Sequence, residues 1–487
     1  MTRQVRKVSI AVLALFAALF VNINIVQVVR ASEYTERDAT RKLQKDFGVR
    51  RGSILTADGE TEIARVQETT TALRFQRVYD EGPRYAHVTG FLSKVYDRTE
   101  LEHSEDEVLS SRGDVVDNFT DLLAGREPVG DTVVTTIRPE VQAAAIDALG
   151  NRAGAVVALD PGTGEVMALW SFPTYDPNEL ATFNDDEARA AWDRLNDDPA
   201  RPLENRATRR FYNPGSTFKV VTAALALERG MRPDTEFEDP QRLPLPNTQA
   251  TIGNFGGGLC NDGEPLTLAD AVRVSCNTTF GDIAIDLGGR ALVEQAEAFG
   301  FGSDLGGQMP PIQPSQVTPL DPGDLDPATA AQSAIGQRDV NVTPLQMAAV
   351  AGAIGDSGTL RAPRLVRQIE DFGGSVRRDF PPADIRQAVS PRTAGLLRDM
   401  MVEVVENGTG TSAQIPGVQV AGKTGTAERG EGRNPNVWFI GFAPAFNPTV
   451  AVAVVVEDGG DVGSEATGGA VAAPIGQQVL RAALEQR

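Results

Sequence analysis

The feature that most constrains the fold is the placement of strand-forming runs at the two ends of a long C-terminal stretch. Near its start lie an alternating run, Val133 to Ile137, a helical stretch around Val141 to Leu149, and two apolar runs, Ala155–Leu159 and Val166–Leu169. Asp160-Pro161-Gly162-Thr163-Gly164 separates the last two, and turn residues clustered between short apolar runs signal a hairpin. Near its end, the runs Val437–Phe442 and Val450–Val456 flank a turn-forming segment from Pro444 to Pro448, and a helix rich in Ala and Leu closes the chain. Between these ends the pattern is mostly helical and looped. Strands from both ends with helices between them predict an α+β domain, an antiparallel sheet flanked by helices.

The other end of the chain carries a different signal. Arg3, Arg6 and Lys7 precede an apolar run from Val8 to about Val29, close to the roughly 20 residues that a bilayer-spanning helix needs. Cations before the run place the N-terminus in the cytoplasm and the remainder outside. Asn22, Asn24 and Gln27 weaken its second half, so a cleaved secretory signal is the competing reading. No A-x-A-like site follows the run, which favours an uncleaved, single-pass anchor. Both readings export the bulk of the protein. A chain of 487 residues exceeds one ordinary core. The expected organisation is a cytoplasmic tail over 1–7, a transmembrane anchor over 8–29, a small N-terminal module over 30–128 and a larger domain over 129–487. A charged stalk from Glu33 to Lys45 opens the small module, and the loop Ala124-Gly125-Arg126-Glu127-Pro128 marks the boundary. Within it, Arg51 to Leu55 reads as a short strand running into a turn at Ala57-Asp58-Gly59. A formal net charge of -20 argues against nucleic acid as a partner, because a phosphate-binding surface needs clustered cations.

The chemistry begins with an exclusion. The two histidines, His87 and His103, both fall in the small module, so neither a Ser-His-Asp triad nor an H-E-x-x-H zinc site can form from the large domain's own residues. No metal and no cofactor is implied. Nucleophilic catalysis there needs another base. Six lysines occur in the whole chain, and after Lys94 only Lys219 and Lys423 remain, with arginine serving elsewhere. Arginine supplies surface charge equally well but stays protonated, so a lysine kept in an arginine-biased chain points to a titratable amine. Lys219 follows Ser216 by three residues in Pro214-Gly215-Ser216-Thr217-Phe218-Lys219, ahead of the apolar stretch Val220 to Leu227 and Gly230. That spacing puts both side chains on one helical face. Burial of so apolar a helix lowers the lysine pKa, which makes its amine a base for the Ser216 proton. Lys423 lies in Ala421-Gly422-Lys423-Thr424-Gly425-Thr426-Ala427, where small residues permit close backbone approach and hydroxyls can bind a carboxylate. Between them, Ser275-Cys276-Asn277 ends the helical stretch Leu268 to Val274. Cys260 and Cys276 are the only cysteines, and in an exported chain they read either as one disulfide or as two free, buried thiols.

Each string alone is weak, but the ordered set S-x-x-K, S-x-N and K-T-G is the signature of penicillin-binding proteins and class A β-lactamases, here with Cys276 in place of the usual middle Asp. The likeness extends to Arg51-Gly52, Gly154 to Asp160, Tyr175-Asp176-Pro177-Asn178, Asn407-Gly408-Thr409-Gly410-Thr411 and Gly468 to Pro474. From Arg51 onward the chain resembles the class B penicillin-binding proteins, and within them the actinobacterial penicillin-binding protein A group. The resemblance implies a peptidoglycan D,D-transpeptidase fold and activity. It implies Ser216 as nucleophile, Lys219 as base, Ser275 and Lys423 as a proton relay, and Asn277 on the substrate amide. It places an oxyanion hole at the Ser216 and Thr426 N–H groups, and substrate contacts at Thr424, Gly425 and Thr426. Stem peptides are then the substrate, β-lactams the inhibitors, and a membrane glycan polymerase with division or elongation proteins the partners. A Cys260–Cys276 bridge would tie the loop before the second motif to the wall of the site. The rival readings are a serine β-lactamase or β-lactam sensor of the same fold, and a division scaffold. A class A β-lactamase needs a deacylating Glu in an E-x-x-x-N element between the second and third motifs, and the segment between Asn277 and Lys423 reads as lacking one. A sensor usually has several membrane spans, against one in this chain.

Overall fold

The computed structural model describes residues 3–24, 43, 46–71, 73–111, 127, 129–317, 325–430 and 432–485. The end of the anchor (25–29), most of the stalk (33–45) and most of the boundary loop (124–128) lie outside the described residues. Arg3–Asn24 forms one helix of 22 residues, long and apolar enough to cross a membrane.

The central sheet of the large domain takes in four of the runs that the sequence predicts as strands and adds the strand of the third motif. Its strands are β1 (Gly154–Leu159), β2 (Val166–Phe172), β3 (Ala421–Ala427), β4 (Asn436–Ala443) and β5 (Val450–Val456). They lie in the order β3-β4-β5-β1-β2 with every pair antiparallel, so the two ends of the domain meet at β5 and β1. The turn between β1 and β2 closes through Asp160, whose Oδ1 accepts from the Gly162 and Thr163 N–H groups.

Every residue of β4 and β5 is buried, which requires cover on both faces. Side-chain alternation divides them cleanly. Val156, Ala158, Phe439, Val452 and Val454 face the helices Pro139–Leu149 and Ala473–Glu485. Val157, Trp438, Ile440, Ala451 and Ala453 face the other way, into a larger core that includes the helices Lys219–Glu228, Pro344–Gly355 and Pro391–Asn407. Lys219–Glu228 is buried from Lys219 through Leu227, as its all-round apolar sequence requires.

One strand departs from expectation. The run read as opening the large domain forms Thr132–Thr135, which lies in a second, six-stranded sheet. There it pairs parallel to Ile54–Leu55 and antiparallel to Val366–Glu370. Alternation specifies that a strand forms, but not which partner distant in sequence it takes. Arg51-Gly52 opens this sheet. A side chain at Gly52 would stand 1.8 Å from Asp131 O, so only glycine allows the strands this approach. Arg51 and Arg77 both pair with the fully buried Glu102, at 2.6 and 2.5 Å. Burial pushes the Glu102 carboxyl up, but the two guanidinium groups outweigh it and hold the carboxyl below its usual range.

Candidate active site

Ser216 lies in a 3-10 turn, Gly215–Phe218, that runs directly into the helix Lys219–Glu228. In such a turn residues three apart eclipse, so Ser216 and Lys219 share a face as predicted, although the α-helix begins only at Lys219. Gly215 makes the turn with a left-handed φ of +53°. Its N–H donates to Gly336 O at 2.9 Å, and a Cβ at Gly336 (φ +72°) would stand 2.0 Å from Gly215 O. The turn is thus clamped between Gly336 on one side and β3 on the other.

The β3 side brings in the third motif. A Cβ at Gly215 would lie 2.7 Å from Thr426 O, and one at Gly425 would lie 2.8 Å from Pro214 O and 3.1 Å from Thr217 N. β3 is an edge strand whose free edge faces this turn. In an antiparallel strand a residue's N–H and C=O leave by the same edge, so the Thr426 N–H also points toward the turn. The Thr426 N–H thus lies on the strand edge beside the turn that carries Ser216. Thr424 is buried, and its Oγ1 shares a 2.6 Å hydrogen bond with Thr409 Oγ1.

The second motif bridges the two amines. Ser275 caps the helix Leu268–Val274 in the left-handed region (φ 65°, ψ 43°), a conformation that costs a non-glycine residue about 1–3 kcal/mol. Asn277 starts the next helix, Asn277–Leu287. Lys219 Nζ donates to Ser275 O at 2.6 Å, to Ser275 Oγ at 3.3 Å and to Asn277 Oδ1 at 2.6 Å. Lys423 Nζ donates to the same Ser275 Oγ at 2.8 Å and to Thr424 O at 3.1 Å. Both amines are fully buried. Burial, with Lys423 nearby, drives the Lys219 ammonium well below its ordinary pKa, and burial alone lowers Lys423 to about 7. The result is a pair of buried amines joined by one hydroxyl, which can pass a proton across the site.

Two residues the sequence did not single out hold Asn277. Its Nδ2 donates to Gly253 O at 2.9 Å, and Asn254 Oδ1 accepts from the Asn277 and Thr278 N–H groups at 2.9 and 3.2 Å. No local pattern marks Asn254, because its role comes from a contact across more than twenty residues. Thr409, by contrast, stood in a quoted string without a role. Cys260 and Cys276 are bridged, with Cα atoms 5.8 Å apart, which resolves the choice left open above and ties the loop after Asn254 to the second motif. Asp239 lies beside the bridge, but its carboxylate accepts from the Cys260, Asn261 and Gly263 N–H groups and both sulfurs are bonded to each other, so the trio offers no metal site in this state.

One reading of the sequence needs correction. An E-x-x-x-N string does lie between the second and third motifs, Glu403-Val404-Val405-Glu406-Asn407. It occupies the last turn of the helix Pro391–Asn407, where both side chains are exposed and Asn407 Nδ2 donates to Glu403 Oε2 at 2.9 Å. It is a surface pair spaced four residues apart on a helix, not a carboxylate presented to Ser216.

Comparison with known proteins agrees with this geometry. Residues 154–481 match the penicillin-binding protein transpeptidase domain, and 51–133 match the penicillin-binding protein A dimerisation domain. The chain is 42% identical over 497 residues to the peptidoglycan D,D-transpeptidase PbpA of Mycolicibacterium smegmatis, covering all of both proteins. It is 40% identical over 496 residues to PbpA of Mycobacterium tuberculosis, covering all of this chain and 99% of that one. The ceftriaxone acyl-enzyme complex of penicillin-binding protein A from M. tuberculosis superposes with a TM-score of 0.84 at 41% identity, covering 91% of this chain and 100% of that one. The penicillin G acyl-enzyme complex of the same protein gives 0.82 at 41%, covering 90% and 100%. With a buried lysine pair, a serine in a clamped turn and relatives matched along their whole length, the chain belongs to the penicillin-binding protein transpeptidase family.

Proposed function

We propose that this chain is a peptidoglycan D,D-transpeptidase that works through an acyl-enzyme on Ser216. The observation that carries the reading is the hydrogen-bonded set Lys219–Ser275–Lys423, whose two amines are buried and whose Lys219 follows Ser216 by three residues in one turn. Lys219, its pKa lowered by burial, takes the Ser216 proton as the hydroxyl attacks the penultimate D-alanine carbonyl of a stem peptide. The N–H groups of Ser216 and Thr426 bind the developing oxyanion. The proton passes through Ser275 Oγ, backed by Lys423, to the departing D-alanine amine. Asn277, fixed by Asn254 and Gly253, holds the substrate amide. Thr424 and Thr426 bind its terminal carboxylate, while Gly425 keeps the strand close to the turn. A second stem's amine then attacks the acyl-enzyme, releasing Ser216 and forming the cross-link. A β-lactam enters as a donor mimic and stays on Ser216.

The anchor over residues 8–29 would hold residues 1–7 in the cytoplasm and the catalytic domain outside the membrane. Residues 30–128 would serve as a non-catalytic pedestal and partner surface, 129–487 would be the catalytic unit, and a membrane glycan polymerase with division or elongation proteins would be the partners. A β-lactamase reading is disfavoured by the exposed position of Glu403. Covalent capture of Ser216 by benzylpenicillin, lost in Ser216→Ala, tests the assignment.

A further inference from the structure

Glu457 follows the last residue of β5 and is buried, with 8% of its surface exposed. Its Oε1 accepts from Tyr212 Oη at 2.7 Å and from Arg206 Nε at 2.9 Å, and its Oε2 lies 3.4 Å from an Arg210 nitrogen. All three partners come from the segment that leads into Ser216. Arg206 is itself buried and also donates to Ala200 O and Arg201 O. One carboxylate thus gathers two guanidinium groups and a phenol at the end of the central sheet.

From Tyr212 the contacts continue without a gap to the nucleophile. Its backbone pairs with Val342, and its ring meets Trp438 of β4 edge-on at 5.9 Å. Trp438 Nε1 donates to Asn213 O at 3.0 Å, and Asn213 Nδ2 donates to Val340 O at 2.6 Å. Two residues later, Gly215 N–H is held by Gly336 O. The segment from Arg206 to Gly215 is therefore fastened at each end, by Glu457 and by Gly336.

We propose that Glu457 is a positioning residue for acylation, its buried carboxylate fixing Arg206, Arg210 and Tyr212 and through them the turn that carries Ser216. The proposal rests on Ser216 being the acylated residue. Glu457 touches no substrate. A carboxylate that merely balanced one buried and one half-buried cation would affect folding stability and leave the chemistry of the folded molecules unchanged, because breaking such a pair is paid for in the fold. A positioning residue acts on the chemical step itself, since small displacements of a nucleophile are amplified in rate.

The test is single-turnover acylation by benzylpenicillin of the full-length protein in detergent, separating the noncovalent dissociation constant from the acylation rate constant. Parent, Glu457→Gln, Tyr212→Phe and the double variant are compared, with thermal melts on each. Glu457→Gln should lower the acylation rate constant roughly tenfold, the scale of a fraction of an ångström of displacement, with the dissociation constant within about twofold of the parent. Tyr212→Phe should lower it several-fold, and the double variant should be no slower than Glu457→Gln alone, because the two share one interaction. A parental rate constant in folded Glu457→Gln would overturn the proposal, as would a double variant whose losses multiply. Should Glu457→Gln not fold, Tyr212→Phe decides: a slowed rate supports the proposal and a parental rate overturns it. A parent protein that is not acylated at Ser216 would instead refute the functional assignment on which the proposal stands.

Discussion

Replacing Gly425 with alanine places a single methyl group between β3 and the turn that carries Ser216. The backbone at Gly425 has no left-handed φ, so the substitution carries only a steric cost. The new Cβ would stand 2.8 Å from Pro214 O, 3.0 Å from Thr217 Cγ2 and 3.1 Å from Thr217 N. Ordinary contact begins at 3.4 Å, so β3 and the turn must separate by about 0.6 Å. Two of the three atoms are backbone on either side of Ser216, and neither can yield without moving it. Overpacking of this kind costs about 1–3 kcal/mol, and misplacing a reacting atom by about 1 Å can cost about a hundredfold in rate. Gly425→Ala should therefore acylate roughly 10- to 100-fold more slowly while remaining folded. Stopped-flow acylation with a fluorescent penicillin reads the rate, and a thermal melt reads the fold. Gly395→Ala is the control, since its Cβ meets nothing nearer than 3.9 Å and should leave the rate unchanged. If Gly425→Ala acylates at the parental rate, the close approach of β3 does not hold Ser216 in place and the argument from the glycines fails.

Two further predictions concern pH. Lys423, held near 7 by burial, must be protonated to back Ser275 as a proton donor, so acylation efficiency should fall roughly tenfold per pH unit above about 7. A profile measured from pH 5.5 to 9 that is flat on its alkaline side would contradict that role. Burial, with Arg206 nearby, lowers His87 from 6.5 to about 3, so between those values the unfolded chain takes up a proton that the folded one refuses. His87 should thereby remove about 2 kcal/mol of stability between pH 7.5 and pH 5, so in urea titrations the drop across that range should be smaller by about that amount in His87→Gln than in the parent, whereas an unchanged drop in the variant would rule out a contribution from His87.

How much of this was legible in the sequence depends on the range of the interactions. The strands β1, β4 and β5 could be read because each is a short apolar run bounded by turn residues, and such patterns are local. The chemistry could be read because the scarcity of lysine isolated Lys219 and Lys423, and three short strings carried the residues that bind one another. What escaped was set at long range. The strand Thr132–Thr135 found partners near residues 54 and 369, which alternation alone cannot name. Asn254 and Gly336 act on the site through loops far away in the chain, and neither sits in a recognisable string. The E-x-x-x-N string at Glu403 shows the converse: a pattern can be present in the sequence and point away from the site.

The most direct test of the central claim is intact-mass analysis of the full-length protein after incubation with benzylpenicillin, beside Ser216→Ala. A stable adduct of the drug's mass, mapped by peptide digestion to Ser216 and absent from the variant, is the predicted result. An adduct on another residue, or hydrolysed drug with the protein unmodified, would contradict the assignment of Ser216 as the acylated nucleophile of a transpeptidase.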